Sequence, residues 1–301
     1  MKVTRFSPRG FVAAVFVMAA LAALSAGCET KEQAKLAGGS EHNKNGSATA
    51  ADSGSTAGVA TTSGAASREK FGAVSLSGLV KVTGTPPAPV QLDTAAKPEC
   101  GKQRQALGLG ELMAEKIVVG ADGGLKDCIV YISKQKGLPR YYSKDMVAYG
   151  HPATVVLDQK GCQYIPHVFA VWKNQDVVIK NSDPYLHNVN IPLLNFNLSM
   201  SDVGEEKKPK FFKKASPHTC QCSVHPWMTA YAFVVETPFF SQTGVDGKFT
   251  IGKLPDADGT YTVEVWHEKD RKLKRPKAQK ITVKDGALVE GNIVFEFIYK
   301  G

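Results

Sequence analysis

From residue 72 to the end, the chain is a succession of short runs rich in β-branched and aromatic residues, separated by Gly, Pro, Asn and Asp. This pattern confines the fold more than any other feature. No segment sustains apolar residues at a spacing of 3.6 over several turns, so the runs cannot be rewritten as amphipathic helices. The runs that read as strands are 77–82, 116–119, 128–133, 153–157, 168–172, 176–180, 187–191, 210–214, 230–236, 248–251, 260–266, 279–283 and 292–299, and only 110–116 reads as briefly helical. So many strands at such regular spacing imply an all-β fold, a sandwich or Greek-key barrel.

The chain before this region is of another kind. Lys2, Arg5 and Arg9 precede an apolar run from Phe11 to Leu24 that small residues close, so 1–27 reads as an export signal. The run is too short for a membrane-spanning helix. It ends Leu24-Ser25-Ala26-Gly27-Cys28, which resembles a bacterial lipobox, with Ser25 where an aliphatic residue is usual. The resemblance implies lipidation of Cys28 and attachment to a membrane through that anchor. Glu29 follows, and the absence of Asp there resembles the outer-membrane sorting pattern, so the expected location is the cell envelope, facing the periplasm or the cell surface. Residues 28–73 are mostly Ala, Gly, Ser and Thr, with little to bury, and read as a disordered tether. A flexible chain of about 40 residues has an end-to-end distance of about 35 Å. The formal charge is +9, of which three positive charges belong to the leader. That balance can steer acidic partners, and export argues against nucleic acid as one of them.

A second boundary is read at Thr237-Pro238, which gives 74–236 and 237–301 as the two folded parts. In the later part, Asp246-Gly247-Lys248-Phe249-Thr250-Ile251 reads as a turn into a strand, and Tyr261, Val263 and Val265 alternate with Thr262 and Glu264. With the Leu254-Pro255 and Gly259-Thr260 steps between them, these runs resemble the prealbumin-like module of carboxypeptidase regulatory domains. The resemblance implies a smaller β-sandwich for binding or spacing. This module can also share the early strand at 77–83, making the other domain an insertion.

The chemistry sits in Cys222-Ser223-Val224-His225-Pro226-Trp227-Met228, which offers a thiol, an imidazole and a thioether at steps of three. A blue-copper centre needs two imidazoles and a thiolate in a near-trigonal plane with a weak thioether on the axis. His187, in Asn181-Ser182-Asp183-Pro184-Tyr185-Leu186-His187-Asn188-Val189, can supply the second imidazole from an upstream strand. These two motifs, in this order, resemble those of the cupredoxins, and the short step from His225 to Met228 resembles amicyanin more than plastocyanin. The resemblance covers about 74–236. It implies a Greek-key β-barrel holding one type 1 copper per chain and carrying single electrons. His187, Cys222 and His225 would be the strong ligands, and Met228 the axial one. Asn188 would tie the two ligand loops together from behind the ligands. In cupredoxins the edge of the second histidine protrudes through an apolar docking patch, which implies Pro184, Tyr185, Pro226 and Trp227 as patch residues here. A redox partner protein such as a periplasmic cytochrome would dock there.

If Cys28 carries lipid and Cys222 holds metal, Cys100, Cys128, Cys162 and Cys220 remain, and an oxidising compartment pairs spare thiols. Three pairings are open, of which Cys100 with Cys162 and Cys128 with Cys220 is the expectation. Cys220, two residues before Cys222, keeps other readings alive. A binuclear copper-A site uses two cysteines four positions apart. A zinc set of His218, Cys220, Cys222 and His225 has the right atoms but crowds four ligands into eight residues. His167 reads as a structural hydrogen-bonding residue, and His151 and His267 read as loop residues facing solvent.

Seven histidines with no His-x-His pair cannot furnish a trinuclear copper cluster, so a multicopper enzyme is not expected. The alternatives to electron transfer are a copper-delivery lipoprotein and a metal-free surface scaffold. The lysines at 207, 208, 210, 213 and 214, and the basic run from Lys269 to Arg275, read as solvated hairpins or docking surfaces.

Overall fold

In a computed structural model, the described residues are 72–301 without 139–141, 143, 174, 210–214, 256 and 270. The leader, Cys28, nearly all of the tether and the expected strand at 210–214 lie outside them. The strand and turn pattern is realised as an all-β fold with one short α-helix. In chain order the elements are β1 (Leu76–Thr83), α1 (Pro98–Ala106), β2 (Ile129–Ile132), β3 (Thr154–Gln159), β4 (Tyr164–Ile165), β5 (Val168–Trp172) and β6 (Asp176–Asn181). There follow β7 (His187–Ile191), β8 (Phe196–Met200), β9 (Glu206–Lys207), β10 (Pro217–Gln221), β11 (Thr229–Val235) and β12 (Phe240–Gln242). The chain ends with β13 (Lys248–Ile251), β14 (Gly259–Trp266), β15 (Leu273–Lys274), β16 (Gln279–Lys284), β17 (Ala287–Leu288) and β18 (Ile293–Tyr299).

Four sheets result. Two have the orders β13-β1-β18-β15 and β12-β2-β14-β16-β17, and two have the orders β5-β11-β10-β7-β8 and β4-β3-β6-β9. The first two therefore mix strands from both sides of residue 237. β1 lies between β13, antiparallel, and β18, parallel, while β2 lies between β12 and β14. Their shared core includes Leu76, Val80, Ile129, Val263, Phe295 and Phe297. The alternation in β18 is the reason: Ile293, Phe295 and Phe297 are buried while Val294, Glu296 and Ile298 face outward.

The other pair encloses a second core containing Val155, Leu157, Val177, Ile179, Val189, Ala230 and Val234. β5 joins the two cores. All five of its residues are buried, with Phe169 and Val171 in the second core and Val168, Ala170 and Trp172 in the first. A strand covered on both faces reads as a continuous apolar run, which Val-Phe-Ala-Val-Trp is.

Three sequence expectations are corrected. The helix does not form at 110–116, where Gly110 adopts positive φ, but at Pro98–Ala106. Pro98 and Glu99 open that helix and Arg104 closes it, as the helix dipole favours. Residues 116–119 make no strand; Val119 forms only an isolated bridge to Leu125. Cys128 and Cys220 are not bridged, because Cys128 is buried in the first core and Cys220 in the second. The disulfide between Cys100 and Cys162 is present.

Candidate metal centre

The site is assembled by strand register. β10 runs antiparallel to β7 with Gln221 opposite Asn190, so the next residues of the ascending chain come alongside Val189, Asn188 and His187. The Ser223 amide donates to Asn188 Oδ1 at 2.5 Å, and Asn188 Nδ2 donates to Asn197 Oδ1 on β8. Asn188 thus ties the strand carrying one imidazole to the loop carrying the thiol. The loop from 222 to 228 is closed on itself by two backbone bonds, Met228 N–H to His225 O at 2.9 Å and Cys222 N–H to Met228 O at 3.1 Å. β11 starts at once after it.

Three donor atoms converge. His187 Nδ1 lies 3.0 Å from His225 Nδ1, and Cys222 Sγ lies 3.8 Å from His225 Nδ1. One donor atom of each residue falls within 4.8 Å of the other two. Exposure is 0% for His187, 1% for His225, 4% for Cys222 and 1% for Met228. Met228 belongs to the same core as Cys222.

Burial alone would raise the Cys222 thiol. Hydrogen bonds from His187 and His225, with the backbone amides of Asn188 and His225, outweigh it and bring the thiol down to about 5. The sulfur is therefore a thiolate at neutral pH, which is the form that binds metal. Cys220 behaves oppositely: burial pushes its thiol up to about 12, and it stays protonated. Among the described residues, no convergent group of donor atoms includes Cys220 or His218, because β10 ends at Gln221 and only Cys222 turns into the loop. One thiolate and two imidazoles, all buried, with Met228 in the same core, suit a metal that alternates between Cu(I) and Cu(II).

Asp183 is a site residue that the sequence does not mark. Its carboxylate is fully buried, accepts from the Gly161 and Cys162 amides at 2.7 Å each, and lies 3.0 Å from His187 Nε2. Burial would raise its pKa, but the bond to His187 and the two amides hold it below the usual carboxylate value. In return Asp183 and Cys222 raise His187 against the effect of burial. Asp183 fixes the His187 ring so that Nδ1 faces the other donors, the support that a metal-binding imidazole needs on its far nitrogen.

Pro184 and Pro226 are exposed, and Tyr185 and Trp227 are half-buried. His225, by contrast, does not reach the surface between them. The sulfurs of Cys100 and Cys162 lie within 4.8 Å of one of its nitrogens. Trp227 packs against its ring at 5.3 Å and donates Nε1–H to Cys162 O at 3.0 Å.

Among the described residues, the other histidines have protein partners. His167 bonds Thr229 O and Glu268 Oε1. His151 is half-buried, bonds Pro238 O and stacks on Phe240, whereas His267 is buried, accepting the Lys269 amide on Nδ1, and does not face solvent as expected.

No known family profile matches the chain, and no curated protein matches it. Solved structures similar to part of it include amicyanin from Paracoccus versutus, 16% identical over 35% of this chain and 96% of that one, with a TM-score of 0.25. A purple cupredoxin from Nitrosopumilus maritimus is 19% identical over 28% of this chain and 99% of that one, with a TM-score of 0.24. A copper-containing nitrite reductase from Thermus scotoductus SA-01 is 20% identical over 29% of this chain, with a TM-score of 0.24. The match spans 23% of the reductase.

Proposed function

We propose that the chain is a type 1 copper protein that carries single electrons in the bacterial cell envelope, in which His187, Cys222, His225 and Met228 would hold the metal. The observation that carries this reading is the convergence of the buried Cys222 sulfur with the Nδ1 atoms of His187 and His225, His187 being held from its far side by Asp183. Copper held there would supply a one-electron couple. The chain's part is to keep the donors in one place through both oxidation states, and the register of β7 with β10, the closed 222–228 loop and Asp183 do that. Burial supports a carrier over an enzyme or a delivery protein. A substrate needs an open coordination position and cargo needs an exit, whereas the four ligand residues are 0–4% exposed. Lipidation at Cys28, a periplasmic redox partner such as a cytochrome, and docking by Pro184, Tyr185, Pro226 and Trp227 belong to the same reading.

The test is the absorption spectrum of residues 72–301 after addition of Cu(II), beside Cys222→Ser. An intense visible sulfur-to-copper band, at one copper per chain and absent from the variant, is the expected result. A colourless wild-type chain with the same copper uptake as the variant would end the proposal.

A further inference from the structure

The Cys100–Cys162 disulfide closes a separation of 62 residues, but its position is what matters. Its sulfurs are within 4.8 Å of a His225 ring nitrogen, and the Cys162 sulfur is equally close to a His187 nitrogen and an Asp183 oxygen. Both cysteines are fully buried, in the core that holds Cys222 and Met228. The Cys162 amide supports Asp183 and its carbonyl holds Trp227, so this residue touches the supports of both imidazoles. Cys100 comes from α1, whose only other buried residue is Arg104. That guanidinium donates to the carbonyls of Leu109, Gly110, Glu111 and Gly161 and to Gln163 Oε1. The disulfide, Arg104 and a longer hydrogen bond from Gln103 Nε2 to Asp183 Oδ1, at 3.4 Å, therefore hold α1 in place beside His225.

We propose that Cys100 and Cys162 are a redox-active pair, and that their dithiol form makes, with His225, a second binding set for copper(I) that competes with the first for the shared imidazole. An external dithiol opens the pair in two exchanges. Its thiolate attacks one protein sulfur and releases the other, and its second thiol then closes to a cyclic disulfide and frees the first. The protein gains two electrons and two protons, which the reagent loses. Binding of copper(I) then displaces up to two thiol protons. Two thiolates and one imidazole are a softer set than one thiolate and two imidazoles, and softer sulfur-rich sets favour copper(I). The atoms are already within reach, so a local parting of the two sulfurs suffices. Because both sulfurs are buried, the dithiol reaches them only when α1 lifts, and Arg104 controls that step.

The inference shares His225 with the electron-transfer reading but is tested without it. The full chain carrying Cys222→Ser is prepared with the disulfide intact, and again after reduction by dithiothreitol and anaerobic desalting. Each form is titrated with copper(I) against bathocuproine disulfonate. The reduced form is expected to hold one copper(I) at least tenfold more tightly than the oxidised form, and adding Cys100→Ser is expected to abolish the gain. Equal partition overturns the proposal, as does loss of the far-ultraviolet circular dichroism on reduction, since a chain that unfolds without its disulfide cannot use the thiols as a site. In the wild-type background, Arg104→Gln is expected to speed reduction at least tenfold, followed by thiol labelling, and an unchanged rate removes the gating role. The charge-transfer band of the oxidised wild type judges the electron-transfer reading separately.

Discussion

Asp183 shows what a single residue can contribute without being a ligand. It takes two backbone amides, one imidazole edge and the Gln103 side-chain amide in a buried site, so replacement by Asn presents an NH2 group where one of these donors needs an acceptor. Asp183→Asn is expected to weaken copper binding about 10- to 100-fold, the usual effect of losing such a support, measured by chelator competition. Unchanged affinity would mean that packing alone orients His187. The proposed ligands were legible because thiol, imidazole and thioether recur at a fixed step. Asp183 was not, because an Asp in a Ser-Asp-Pro stretch is already explained as a turn former. The failed Cys128–Cys220 pairing has a similar origin, since residue type says that both are buried but not in which core. His267 makes a pH prediction. Its Nδ1 accepts the Lys269 amide, and burial pushes its pKa down from 6.5 to about 4. Below pH 6.5 the unfolded chain binds a proton that the folded chain refuses until about pH 4. Stability therefore falls as pH falls through that window, by about 3 kcal/mol in all. His267→Gln is expected to flatten the decline in Tm across the window, and parallel wild-type and variant curves would refute it.

Strands and helices differ in how much of their surroundings the sequence reveals. β5, β7 and β13 were readable to the residue, since their runs carry their own period and their own boundaries. β8 and β10 were not, because Phe-Asn-Leu-Ser-Met and Pro-His-Thr-Cys-Gln become strands only when a neighbour supplies the ladder. α1 escaped notice for a related reason: nine residues with two buried side chains leave no apolar stripe to detect. β1 offers the sharpest test at this scale. Gly78 sits between β13 and β18, where an added Cβ would lie 2.3 Å from Ile293 O and 2.5 Å from the Phe249 ring. Strand backbone on one side cannot yield as a flexible side chain could. Gly78→Ala is expected to cost about 1–3 kcal/mol, as overpacking does, seen as a lower denaturant midpoint with an unchanged slope. An unaltered midpoint would show that the two strands do not approach so closely.

In the molecule as a whole, strand pairing crosses the point where composition changes, as the shared early strand at 77–83 allows. Thr237-Pro238 looks like a boundary because a turn former interrupts the strand pattern, yet which sheet a strand joins is decided by partners more than a hundred residues away, and β1 pairs with β13 and β18. A cut at residue 236 therefore removes the partners of β1 and β2. It also uncovers one face of the sheet that carries the metal loop, since Val168, Ala170, Trp172, Phe233 and Val235 are buried against the first core. The four large side chains among them, at about 1.5–3 kcal/mol each when fully buried, together match the whole stability of a typical domain. The fragment 74–236 contains every proposed ligand, and it is nevertheless expected to bind hydrophobic dye, lose near-ultraviolet circular dichroism and fail to develop the copper band. The chain from 72 to 301 should unfold in one transition, coincident by circular dichroism and by loss of that band. If the fragment instead folds sharply and takes up copper like the longer chain, the shared face of β5 and β11 is not what supports the metal loop, and the C-terminal strands serve a purpose of their own.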